Sequence, residues 1–282
     1  MTINFTANSI LFTSPTGNVF YLAETATGVG FNGNVKSSNV FAFLGGTVSG
    51  YTSGGAPSFS NVIDKFPFAT DGNATDVGDL TVGRSVVAGQ SSSVSGYTSG
   101  GNAPPNSNVI DKFPFATNAN ATDVGDLTVA RSDLTGQSSS VSGYTSGGYN
   151  VPYSNVIDKF PFASNANATD VGDLTVARTS VAGQSSTVSG YTSGGVGPTF
   201  SNVIDKFPFA TDGNATDVGD LTVGRYGSAE QSSTVSGYTS GGLTPPGTFS
   251  NVIDKFPFAT DGNATDVGDL TIARAGQTGQ QN

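Results

Sequence analysis

The chain has no cysteine, no histidine and no tryptophan, and its one methionine is Met1. Without cysteine there is no disulfide, no thiolate metal site and no thiol nucleophile. Without histidine the commonest general base and the commonest zinc ligand are gone, and no Ser-His-Asp set can form. Bases are scarce as well: 11 Lys and Arg stand against 21 Asp and Glu, a net charge of −10. No basic run exists to neutralise phosphates, so nucleic acid is not an expected partner. The acidic excess favours solubility and keeps copies apart. No apolar stretch approaches the ~18 residues of a membrane-spanning helix. Met1 to Thr6 has neither the basic nor the apolar region of a signal peptide. These absences lead us to expect a soluble chain that leaves a producing cell by lysis or assembly, with no membrane insertion and no cofactor.

Glycine is abundant, at 39 of 282 residues, and Ser, Thr and Asn are dense. Such composition often means disorder. Here 19 Phe and 9 Tyr recur at fixed spacing, which implies a packed core instead. Tyr-Thr-Ser-Gly-Gly begins at Tyr51, Tyr97, Tyr144, Tyr191 and Tyr238, with spacings of 46, 47, 47 and 47. Ile-Asp-Lys-Phe-Pro-Phe recurs from Ile63, Ile110, Ile157, Ile204 and Ile253. Asn-Ala-Thr-Asp-Val-Gly-Asp-Leu-Thr recurs from Asn73, Asn120, Asn167, Asn214 and Asn263, and each unit then carries one Arg, from Arg84 to Arg274.

Within a unit, Asn61–Phe66 is strand-prone, and Pro67 confines it to a strand end or a non-donating position. Asp71-Gly72 is a hairpin signal, replaced by Asn118-Ala119 and Asn165-Ala166 in the second and third units. Asp76–Val82 reads as the next strand. A polar stretch, Gly89 to Ser95, leads to a strand ending at Tyr97. Three or four short strands per ~47 residues, with no helical period, cannot bury both faces of one sheet. Leaning identical sheets on one another around an axis solves this. The expected fold is an all-β, five-bladed β-propeller over residues 46–282, preceded by a short β-rich extension over residues 1–45. That extension serves as an extra strand or as an attachment segment. Val40 to Leu44, or the C-terminal tail, is expected to complete the first blade and close the ring.

The order of Arg, Tyr, Gly-Gly pair, loop, Val-Ile-Asp-x-Phe strand and turn resembles the kelch and galactose-oxidase type of propeller repeat. Arg84 to Gly101 spans 18 residues, which suits the kelch distance from Arg to double Gly. The resemblance covers residues 46 to 282 and departs where Val77 or Leu80 stands in place of the usual fourth-strand aromatic. The absence of Cys and His makes the copper chemistry of galactose oxidase untenable here. The wording of the repeats is also similar to repeat-rich proteins of marine bacteriophages. That similarity implies a virion-associated protein with other virion proteins as partners.

Two segments vary between units. One follows Gly-Gly and carries Phe59, Tyr149, Tyr153, Phe200 and Phe249; the other follows Arg, as at Ser85–Ala88 and Tyr226–Glu230. Variable length and type mark surface loops, and the aromatics are candidate contacts for sugars or proteins. Drift in tolerant loops is the plainer explanation. Asp71, Asn73, Asp76 and Asp79 offer hard oxygen ligands loosely similar to calcium loops, although an acid is missing at Thr75. The plainer reading is turn chemistry. The Asn-Ala-Thr triplets and Asn4-Phe5-Thr6 fit the glycosylation pattern but read as turns without an export signal. Asp64 and Arg84 recur once per unit as architectural polar positions. No acid is unique except Glu24, Asp133 and Glu230, so no catalytic constellation stands out.

The leading expectation is a non-enzymatic virion-associated structural or adhesion protein: an appendage, fibre or decoration component. Its N-terminal segment would meet other virion proteins, its loops a host surface glycan or protein, and it would be part of an oligomer. Its place is the virion, or outside the cell after lysis. The alternative is a lectin-like glycan-binding propeller.

Overall fold

The computed structural model describes residues 49–279 in full and, before them, the backbone of four strands. Those four, Thr2–Thr6, Ser9–Thr13, Val19–Thr25 and Gly28–Asn32, form an antiparallel meander. It belongs to a compact unit, Met1–Val48, distinct from Ser49–Asn282. The Glu24 side chain and Val40 to Leu44 lie outside the described residues.

The second unit is all-β, a five-bladed β-propeller in which each repeat supplies one small antiparallel sheet. Blade three shows the pattern: Thr135–Ser138, Ser142–Ser146, Val156–Pro161 and Thr169–Asp173, adjacent in chain order from the innermost strand outwards. Blades two, four and five repeat it, their innermost strands being Ala88–Ser91, Ala182–Ser185 and Ala229–Ser232. Blade one has three described strands, Ser49–Ser53, Val62–Pro67 and Thr75–Asp79. The proline ends its strand, as expected. Two expectations shift. The outer strand stops at Asp79 rather than Val82, because Leu80 turns inward and its N–H bonds the Asn61 carbonyl. The innermost strand, Ala88–Ser91, overlaps the polar stretch after Gly89 and reads as linker because it carries no large apolar residue.

Two contacts hold each sheet onto the next. In the apolar one, Tyr97 of blade two stacks on Phe162 of blade three at 4.8 Å between ring centres and meets Phe160 at 5.4 Å. Ile110, Val124, Leu127 and Ala168 complete that cluster. Phe160 at the same time lies over its own blade's Gly143, where an added Cβ would sit 2.3 Å from the ring. The glycine inside this strand is therefore a seat for an aromatic ring. Equivalent clusters fill the junctions one–two, three–four and four–five.

The polar contact is an ion pair between successive units. Arg84, Arg131, Arg178 and Arg225 bond Asp111, Asp158, Asp205 and Asp254 at 3.0, 2.8, 2.9 and 2.6 Å, with both side chains of every pair fully buried. Each of these aspartates also accepts from the N–H and hydroxyl of a threonine in the preceding unit; Thr128 bonds Asp158 at 3.2 and 2.6 Å. Burial pushes all four guanidinium groups below their ordinary value, and the facing carboxylate opposes that shift. The double glycine serves the same junction. Gly101 N–H donates to the Arg131 carbonyl at 2.9 Å, and a Cβ on Gly100, at φ +61°, would approach that carbonyl to 2.8 Å.

Among the described residues, the C-terminal tail does not complete blade one. Gly276 N–H bonds Gly227 O, and Gln277 Nε2 bonds Ser240 O, so the tail runs along blade five. It takes the place that each innermost strand takes on the blade before it.

Candidate functional site

The two variable segments come together on one end of the propeller. A two-way backbone bridge joins the post-Arg segment of each of units one to four to the post-Gly-Gly segment of the next unit: Ser85 with Asn102, Ser132 with Tyr149, Thr179 with Val196, and Tyr226 with Leu243. Neighbouring units are then linked by a second ladder. Asp133 N–H donates to Val86 O, Ser180 to Asp133, Gly227 to Ser180, and Gly276 to Gly227, at 2.8–3.1 Å. All five ladder residues have φ between 49° and 72°. Val86, Asp133 and Ser180 thus hold a left-handed backbone that glycine would adopt at no cost, an arrangement found at sites that over-determine their geometry.

Of the five loop aromatics, Phe59, Tyr149 and Phe249 are exposed, while Tyr153 and Phe200 are half-buried. Tyr149 and Tyr153 meet edge to face at 6.2 Å, and Phe200 packs on Tyr226 at 5.2 Å. Asn106 Nδ2 donates to Tyr149 O in the next unit, so adjacent loops touch. Three of the five thus pair with another ring, while Phe59 and Phe249 make no ring contact among the described residues. Tyr226 was not a candidate from sequence; its signal is that it lies in the other variable segment. Asp133 lies in the same band. Burial raises its carboxyl, and the Ser132 hydroxyl partly offsets that by donating to it at 3.0 Å.

The opposite end is uniform. Ser138 to Ser140, Ser185 to Thr187 and Ser232 to Thr234 line a cleft of about 630 Å³. Many of its hydroxyls are engaged locally: Ser139 Oγ donates to Ser142 O and accepts from the N–H groups of Val141 and Ser142. These are side-chain-to-backbone turns, the chemistry such residues favour.

The Asp/Asn turn also has internal work. Asp76 Oδ1 accepts from its own Gly78 N–H at 3.1 Å. The equivalents of Asn73 clamp blades: Asn120, Asn167, Asn214 and Asn263 each accept from the aspartate N–H at the end of the preceding outer strand, at 3.1 Å. Two equivalents of Asp71, Asp212 and Asp261, pair with Lys159 and Lys206 at 2.8 Å. Among the described residues no three acids gather as a metal site, and no helix is long and apolar enough to cross a membrane. Glu230 replaces the glycine found at 89, 136 and 183 of the innermost strand, and burial pushes its carboxyl up to about 7. No family model matches the chain, and no curated protein matches it.

Proposed function

We propose that this chain is a non-enzymatic structural or adhesion component of a virion, an appendage, fibre or decoration part, that presents variable loops from a constant propeller. One observation carries the reading: the segments that differ between units converge on one end, while the residues that repeat are spent on the junctions. A rigid frame that displays variable loops is a common binding design. The repeat style, similar to that of phage repeat proteins, supports the virion as its place, and the kelch-like Arg and double Gly account for the frame. The N-terminal unit is the proposed attachment to other virion proteins. Antibody labelling of native particles in the electron microscope tests this. Label at a defined place on the particle is expected; protein found only free in a cytoplasm refutes it.

A lectin-like reading is favoured by the exposed rings of Phe59, Tyr149 and Phe249, because flat aromatic faces stack on sugar rings. Binding on a glycan array that falls at least tenfold in the triple variant F59A/Y149A/F249A would establish it. Silence across a broad array rejects it and leaves a protein partner for the same loops.

A further inference from the structure

Among the described residues, four junctions between blades are made and the fifth is not. Tyr51, Tyr97, Tyr144 and Tyr191 each meet a phenylalanine of the next blade, but Tyr238 has no such ring partner among the described residues. Ile253 and Leu270, whose equivalents are at most 3% exposed, are half-buried here, and Val267 is 51% exposed. Arg274 is exposed, and among the described residues it makes no ion pair, although its four equivalents are fully buried. A Cβ on Gly268 would meet nothing within 4 Å, whereas one on Gly78, Gly125, Gly172 or Gly219 would strike the backbone of the next blade at 2.3–2.4 Å.

Blade one carries the matching half. Phe66 is half-buried where its equivalents Phe113, Phe160, Phe207 and Phe256 are buried, and Phe68 is 51% exposed where Phe115, Phe162, Phe209 and Phe258 are half-buried. Ala74 is exposed, while Ala121, Ala168, Ala215 and Ala264 are buried. Asp64 is half-buried and, among the described residues, has no Arg partner. The two ends of the propeller are thus the two halves of one junction: a socket of Tyr238, Ile253, Leu270 and Arg274, and a knob of Phe66, Phe68 and Asp64.

We propose that the open face of blade five binds blade one of a second copy of this chain, head to tail, through the contact that the chain makes four times within itself. The occupant is specified by complementarity. Asp64 would pair with Arg274, Phe68 would stack on Tyr238, and Asn73 would accept from Asp269 N–H. Closure within one chain would bend all four formed junctions at once, against close-packed interiors that resist it. The tail on blade five adds to the fit, since it lies where a next innermost strand lies and blade one is the blade with three described strands. Such a heterologous contact builds a ring or a filament, according to whether the rotation closes.

Sedimentation of the full chain across a dilution series tests this with two charge swaps at half-buried or exposed positions. Wild type is expected to show mass above the monomer that falls on dilution. Asp64→Arg sets two arginines face to face, and Arg274→Asp sets two aspartates, so each variant alone should associate at least ~10-fold more weakly. An equimolar mixture of the two restores opposite charges at every contact and should recover association, which a misfolded variant cannot do. A monomer at every wild-type concentration overturns the proposal, as does association that neither swap changes.

Discussion

The same aspartate sits at two depths in this molecule, and that allows a controlled prediction. Asp158 is fully buried against Arg131, while its counterpart Asp64 is half-buried without such a partner among the described residues. Replacing Asp158 with Asn leaves the guanidinium of Arg131 buried without its counter-charge. It also weakens the acceptor of the Thr128 N–H and hydroxyl. The Nε of Arg131 already has no hydrogen-bond partner, so little remains to compensate. Removing one partner of a buried pair costs about 3–5 kcal/mol. For a unit of this size that lowers Tm by on the order of 10 °C. Asp64→Asn should stay within ~0.5 kcal/mol, as surface changes do. The assay is urea unfolding of the full chain at a dilution where it is monomeric, with circular dichroism as the readout. Replacing both partners, as in Arg131→Met with Asp158→Leu, should recover most of the loss, because a buried pair adds little over an apolar one of like volume. Equal losses for Asp158→Asn and Asp64→Asn would refute the depth argument.

Val86 holds φ +49° at a ladder position where Gly227 and Gly276 stand in later units. Val86→Gly relieves a β-branched residue in the left-handed region, at some cost in unfolded-chain entropy, and should stabilise the protein by ~0.5–1 kcal/mol in urea unfolding. Glu230 has its carboxyl raised from 4.5 to about 7. The folded state therefore binds a proton that the unfolded state has released, and stability falls as pH rises from about 4.5 to about 7. The loss is at most ~3 kcal/mol, and less because the residue retains some exposure. Glu230→Gln should flatten that slope in a pH series of unfolding midpoints.

The blade count and strand positions are legible because aromatic and β-branched residues repeat with turn signals between them. The innermost strand is not, since Ala88-Gly89-Gln90-Ser91 has no apolar alternation. Its stability comes from partners that no local pattern encodes. Gln137 Nε2, for example, reaches Tyr191 O and Thr192 Oγ1, 54 and 55 residues away. The Arg and Asp of each unit are recognisable as architectural, but the sequence does not say that each Arg pairs with the next unit's Asp. The candidate loops are visible through their variation. That the two variable segments bridge each other is visible only in three dimensions, because the bridge closes the open end of the hairpin formed by the two strands between them.

Identical units impose a problem that no single unit can solve. Each blade must present one face complementary to the other face of its neighbour, so a finite stack always ends with two sticky surfaces unless its turn per blade closes the ring. The turn is set by the junction: by how deeply Phe160 and Phe162 enter the face carrying Tyr97, and by where Arg131 holds Asp158. Those residues are the same in every unit, so every junction has the same geometry to offer. While the repeats remain this alike the ends keep the junction residues, and Phe68 and Val267 lie exposed there. Capping repeats in other stacked architectures carry polar outer faces for that reason. The terminal faces here carry Val267 and Phe68, each 51% exposed, beside Arg274 and Asp64, so an apolar and a charged part of the junction face outward together.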